Sequence, residues 1–216
     1  MLSLPSRARS LSKRSLSLCL GAIALVALGA AFALVSGPAE AADHDVYVVD
    51  TGHSTLQFKV SHLGFSYTYG RFNEFNGSFK YNKDNPSGCA VDIDCSTESI
   101  DSNDEGRDKH LRNADYFNCE KFPSMTFKST KIEMAGSEYR VTGNLTLLGK
   151  TNEVTMRMKK IGEGRGPYNK YRMGFEGNLV IKRSDYGMTT MLPKIGDEVY
   201  ITLGIEGIKH EPSAKK

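Results

Sequence analysis

The 216-residue sequence has no tryptophan, no run or stripe of basic residues, and none of the short motifs that announce common catalysis. Gly-x-Ser-x-Gly, a phosphate-binding glycine loop and a dinucleotide fingerprint are all missing. Serine hydrolysis, nucleotide-driven chemistry and nicotinamide chemistry therefore lose their usual sequence support. The five histidines show neither His-x-His nor His-Glu-x-x-His spacing, so metal-assisted hydrolysis has none either. Cysteine is scarce, at four residues. Cys89 and Cys95 read as sharing one face of one strand, about 20 Å apart, too far to bridge each other. Cys119 can pair with either in an oxidising compartment. We read these three as core or structural cysteines, not catalytic ones.

The formal net charge is +3, with a pI near 8.6. That excess belongs to the N-terminus. Arg7, Arg9, Lys13 and Arg14 precede a run from Leu16 to Val35 that is apolar or small almost throughout, and Ala39-Glu40-Ala41 follows. This is the order of a secretory signal peptide, residues 1–41, with cleavage after Ala41. The competing reading is an uncleaved anchor, since about 20 apolar residues span a bilayer. Cys19 is no lipidation site, because Leu18 stands where a small residue is needed. Removing residues 1–41 takes away four basic residues and Glu40 and leaves 24 of each sign, a net charge of zero. Nucleic acid is therefore not an expected partner. Residues 42–216 suit one domain in a periplasmic or secreted location.

Within that domain the dominant pattern is alternation of period two, the mark of strands with unlike faces. Leu56, Phe58, Val60 and His62 share a face against Gln57, Lys59 and Ser61. Phe75, Gly77, Phe79 and Tyr81 form a second, with Phe72 out of phase and a bulge expected at Asn73-Glu74. Val91, Ile93 and Cys95 oppose Asp92 and Asp94, and Met125 and Phe127 oppose Thr126 and Lys128. Val141, Gly143, Leu145 and Leu147 lead through a turn at Leu148 to Thr151 into Val154, Met156 and Met158. A glycine-rich loop, Gly162 to Gly166, precedes Met173, Phe175, Leu179 and Ile181. Val199, Ile201, Leu203 and Ile205 close the series. About eight strands joined mostly by short turns predict an all-β domain, an antiparallel barrel or a sandwich. The methionines on these faces suit a ligand of variable shape and suit an ordinary core equally.

One helical segment interrupts the strands. A charged stretch near 104–114 runs into Tyr116-Phe117 and Phe122-Pro123, and a lone helix among strands covers a core, an edge or a cavity mouth. The segment resembles one found in the YceI-like, polyisoprenoid-binding family, and other pieces follow in that family's order. They are His53-Ser54-x-Leu56-x-Phe58-x-Val60-x-His62, Gly70-Arg71-Phe72 with Phe75-x-Gly77, Ser99-Ile100-Asp101, and Arg107-Asp108-x-His110-Leu111-Arg112. Asp115-Tyr116-Phe117, Phe127-Lys128-Ser129-Thr130, Gly143-x-Leu145-Thr146-x-x-Gly149-x-Thr151, Arg183-Ser184-Asp185-Tyr186-Gly187 and Gly196-Asp197-Glu198-Val199 complete the series. The resemblance implies an extended lipocalin-like β-barrel whose apolar lumen holds an isoprenoid or similar long amphiphile for transport, storage or sequestration. It implies no catalytic residue, no cofactor and no bound metal. A transient membrane contact and a homodimer are compatible with it.

The expected lumen lining is then Leu56, Phe58, Val60, His62, Phe75, Phe79, Val91, Ile93, Met125, Phe127, Leu145, Leu147, Met156, Met158, Met173, Phe175, Ile201 and Leu203. Arg71, Arg183 and Asp185 are candidate headgroup contacts, though Arg183 and Asp185 read equally as a structural ion pair. Leu111, Tyr116 and Phe117 read as seats for the helix. Asp101 to Gly106 opens like a calcium loop, but its twelfth position is Arg112, a cation where a glutamate is needed. Two other functions stay in view: a solid β-barrel used for protein contacts, and an enzyme acting on a quinone or lipid.

Overall fold

The computed structural model describes residues 44–211, so the reading of residues 1–41 as a leader lies outside the described residues. Eleven strand segments and one helix follow one another. They are β1 Asp45–Val49, β2 Thr55–His62, β3 Ser66–Phe72, β4 Phe75–Tyr81, β5 Ala90–Ser96, β6 Ile100–Asp101, α1 Glu105–Arg112, β7 Ser124–Ala135, β8 Glu138–Leu147, β9 Lys150–Arg165, β10 Tyr171–Lys182 and β11 Ile195–Lys209. Their pairing runs β1–β4–β5–β7–β8–β9–β10–β11, and β11 returns to β1. The ring closes as eight antiparallel strands, which leaves no sheet edge open around it.

Strands β2, β3 and β6 are continuations of β1, β4 and β5. The long strand β11 meets β1 at Gly207–Lys209 and β2 from Ile195 to Gly204. Likewise β2 pairs with β3 as β1 pairs with β4, and β3 pairs with β6. The first three long strands are thus each broken once, at residues 50–54, 73–74 and 97–99, and the breaks lie side by side. Backbone bonding continues across them: Asp50 N–H donates to the Glu206 carbonyl at 2.8 Å, Asn73 N–H to Ser99 at 3.1 Å, and Ser96 N–H to Glu74 at 2.9 Å. The barrel bends along this seam without leaving those amides unsatisfied.

Three local expectations need correcting. Asn73-Glu74 is not a bulge within one strand; it is the break between β3 and β4, whose neighbours differ. Cys89 lies before β5, at the end of a short 3-10 turn at Pro86–Gly88, so it does not share the strand of Cys95. Gly162 and Gly164 are not a loop. They lie in β9 and pair with Gly174 and Arg172 across β10, and the turn comes at Pro167–Asn169. Ladder bonding to β10 overrides glycine's poor strand propensity there.

Helix α1 is short and tied down at both ends. The Asp104 carboxylate accepts from Arg107 N–H at 2.8 Å, satisfying one of the orphan donors of the first turn. Buried Asp108 accepts from the Ser102 N–H at 2.8 Å and from the Ser102 hydroxyl. Arg112 donates to the carbonyls of Glu98 and Ile100, both at 2.8 Å. The acidic loop before the helix is therefore spent on holding it in place, and Asp101 receives Arg71 and Asn73.

Candidate functional site

The inward faces of the strands do not fill the barrel. An apolar chamber of about 140 Å³ runs through the closed ring, and a second of about 110 Å³ lies under α1 and the 183–196 loop. Leu56, Met125, Leu147, Ile181 and Ile201 belong to the walls of both, so one lining passes from chamber to chamber. The larger has room on the order of ten waters, yet almost nothing for a water to bond, and such a cavity stays dry.

Sequence parity placed most of this wall. Phe79, Val91, Ile93, Phe127, Leu145, Met156, Met158, Phe175 and Leu203 line the larger chamber, and Phe58 and Val60 the smaller. His62, Phe75 and Met173 line neither. Phe75 and Met173 are buried core residues, and His62 ends β2 opposite Ser66 and Ile195. Strand phase alone cannot separate a side chain facing the lumen from one packed between wall and seam. Leu111, Tyr116 and Phe117, read as seats for the helix, stand on the wall of the smaller chamber. Phe117 packs edge-on against Phe72 at 5.5 Å while doing so.

Of the proposed headgroup residues, Arg183 borders the smaller chamber, and Arg71 and Asp185 border neither. Arg71 points outward and pairs with Asp101 at 3.2 Å. Arg183 is almost fully buried. It donates Nε–H to the Gly196 carbonyl at 2.8 Å and its terminal N–H groups to Met188, Thr190 and Ile195 at 3.0 Å each. Four of its five N–H donors are taken by backbone carbonyls, so neither the ion pair with Asp185 nor a free anion clamp forms. Asp185 is exposed.

Residues that the alternation hid complete the larger chamber. A bulge between Ser129 and Lys131 reverses the phase of β7, so Met125 and Phe127 are followed inward by Ile132. Tyr139 continues the inward series of β8 beyond Val141 and lines the chamber with Tyr81. Their hydroxyls lie 3.0 Å apart, and Lys160 Nζ reaches Tyr81 Oη at 3.3 Å. Burial, then the hydrogen bond shared with Tyr81, pushes the Tyr139 hydroxyl above the ordinary tyrosine range. Burial likewise pushes the Cys95 thiol up to about 12. Cys89, Cys95 and Cys119 are free thiols, and the first two are wall residues.

On the outer side of the seam Asp50, His53 and Glu206 bring potential ligand atoms within 4.8 Å of one another. A cation is already there: Arg172 donates to Asp50 at 2.5 Å and also to Glu206. That contact holds the Asp50 carboxyl below the usual range, and the two carboxylates raise Arg172. The cluster ties β10 and β11 to the broken strand and is no candidate metal centre.

The YceI-like domain matches residues 47–207. The chain belongs to that family. A UPF0312 protein of Pseudomonas aeruginosa (strain LESB58) is 42% identical over 187 residues, covering 87% of this chain and 97% of the relative. One from Yersinia pestis (strain Pestoides F) is 40% identical over 199 residues, 92% of this chain and 98% of its own. Among solved structures, BcnA of Burkholderia cenocepacia superposes with a TM-score of 0.67 at 26% identity, covering 73% of this chain and 98% of BcnA. A polyisoprenoid binding domain from Saccharophagus degradans shares the fold at 16% identity, with a TM-score of 0.57 over 76% of this chain and 98% of that one. The hollow eight-stranded barrel is thus the architecture of a YceI-like protein.

Proposed function

We propose that this YceI-like chain is an exported carrier that holds one long-chain isoprenoid or similar amphiphile in its lumen for transport or storage. The continuous apolar lining of the two chambers carries this reading, because a solid barrel would have filled that space with side chains. Burial of each methylene is worth about 0.8 kcal/mol gross, so ten carbons supply roughly 8 kcal/mol before the entropy of binding is subtracted. The name of the Saccharophagus relative points to the same class of cargo.

Cargo of this kind has to be collected from and returned to a membrane. The smaller chamber extends to Val60 and Ile195, next to the β2–β3 hairpin. At that tip Leu63, Phe65 and Met191 are exposed, Phe65 to 87%, and Leu63 N–H is bonded to the Lys194 carbonyl at 2.8 Å. We propose this apolar tip as the membrane-facing end. Three substitutions test the reading. Leu145→Arg, which puts a charge into the wall, is expected to abolish retention of geranylgeraniol, whereas Lys59→Ala on the outer face is not. Phe65→Ser is expected to keep the bound lipid but to slow its transfer to phosphatidylglycerol–phosphatidylethanolamine vesicles several-fold. Equal retention by Leu145→Arg and wild type would sink the lumen, and unchanged transfer by Phe65→Ser would sink the tip.

A further inference from the structure

At the end of the larger chamber away from the hairpin, the apolar wall gives way to one polar constellation. Tyr81 and Tyr139 stand there with their rings 6.2 Å apart, both within 6.0 Å of the Phe175 ring. Lys160 continues the inward series of Met156 and Met158 on β9. Its ammonium lies over the Tyr81 ring at 4.8 Å and pairs with Glu163 at 2.6 Å. Tyr81 belongs both to the chamber and to the polar groove outside this end of the barrel. It is therefore the boundary between dry lumen and solvent.

The hydrogen-bond count at this boundary leaves a surplus donor. The two hydroxyls carry two protons and share one bond of 3.0 Å, whichever of them donates. Lys160 takes an acceptor position on Tyr81 and does not supply one. One hydroxyl proton thus remains for a partner, at the rim of a chamber whose only other lining hydroxyl is that of Thr126. That proton is free to donate into the lumen, so the site suits a ligand that brings an oxygen acceptor there.

The charge around the boundary says which kind of oxygen. The Lys160 charge is offset by Glu163, and the groove beyond holds Asp45, Glu163 and Glu211 against Lys83, Arg165 and Lys209. Lys209 is itself committed to Asp45 at 2.6 Å. Lys80 on the chamber wall is exposed, and Arg165 donates to the Asn169 carbonyl at 3.0 Å, so no open guanidinium fork of the kind a dianionic head requires is presented at the boundary.

We infer that Tyr81 and Tyr139 form the headgroup site of the lumen, and that it selects a neutral oxygen acceptor, a carbonyl or hydroxyl on a long apolar tail, over a phosphorylated head. The inference rests on the lumen reading above and adds the chemistry and location of the head. Lys160 acts as a positioning residue, holding the Tyr81 hydroxyl toward its partner.

Competition native mass spectrometry on delipidated protein tests it, using three probes with the same number of chain carbons or nearly so: geranylgeraniol, geranylgeranyl diphosphate and the hydrocarbon phytane. The alcohol is expected to outcompete the diphosphate at least about tenfold. The double variant Tyr81→Phe, Tyr139→Phe should weaken the alcohol about tenfold, the worth of one or two net hydrogen bonds, and leave phytane unchanged. A circular-dichroism melt confirms that the variant folds, and if it does not, each single Tyr→Phe change replaces it. A diphosphate that binds as tightly as the alcohol, or a double variant that holds the alcohol like wild type, overturns the headgroup site; phytane binding in the same experiment shows that the lumen itself stands. If none of the three probes binds, the lumen reading falls and takes the headgroup site with it.

Discussion

Replacing Arg183 by methionine is expected to destabilise the barrel strongly. The side chain is 3% exposed, and its guanidinium donates to four carbonyls, those of Gly196, Met188, Thr190 and Ile195, at 2.8 to 3.0 Å. Methionine keeps most of the stem's volume and removes all four donors. Bonds from a charged donor are worth about 1.5–3 kcal/mol each, but desolvating the cation offsets part of that sum. Water also reaches the half-buried Thr190 and Gly196 once the loop loosens. A net loss of about 3–5 kcal/mol remains, which for a domain of this size lowers Tm by roughly 6–20 °C. Arg183→Lys should recover only a fraction, because one ammonium cannot span four carbonyls. Because Met188 and Ile195 are wall residues of the smaller chamber, lipid retention should fall together with stability. Thermal unfolding followed by circular dichroism reads the first effect. A methionine variant melting within about 2 °C of wild type would refute the view that this arginine holds the loop.

Two further outcomes follow from the same packing. Burial raises the Cys95 thiol to about 12, so iodoacetamide near pH 8 should label it only at the rate of unfolding; rapid labelling of the native protein, read by peptide mass mapping, would contradict the buried wall position. The Arg172 guanidinium holds Asp50 below the ordinary carboxylate range, so its folded value lies under its unfolded one. Its contribution is complete above an unfolded value of about 3.9 and is lost as pH falls through the folded value. Asp50→Asn should therefore flatten the loss of stability below about pH 5 in urea titrations, and an unchanged pH slope would show that the carboxylate has no part in it.

Much of the barrel could be read from alternation because each long strand has one face toward the lumen and one toward water. Leu145 and Leu147, or Ile201 and Leu203, follow parity without interruption, and so were legible. The hidden parts are those where the phase changes or the chemistry breaks the pattern. The bulge before Lys131 moved Ile132 onto the inner face, and the seam split each of the first three strands, which no local pattern marks. Lys160 follows inward parity, yet its charge ended the apparent apolar run. Arg183 was picked out by its place in a family motif. A motif cannot say whether a guanidinium meets a ligand or four backbone carbonyls, since that depends on how the loop folds over it.

The central claim, that the barrel is hollow and carries a lipid, is tested most directly by native mass spectrometry of the protein purified from its own host, followed by solvent extraction of the bound material. The account predicts a discrete one-to-one adduct that extracts as a long-chain lipid with a neutral, oxygen-bearing head. Unliganded protein that also fails to take up added geranylgeraniol would contradict it.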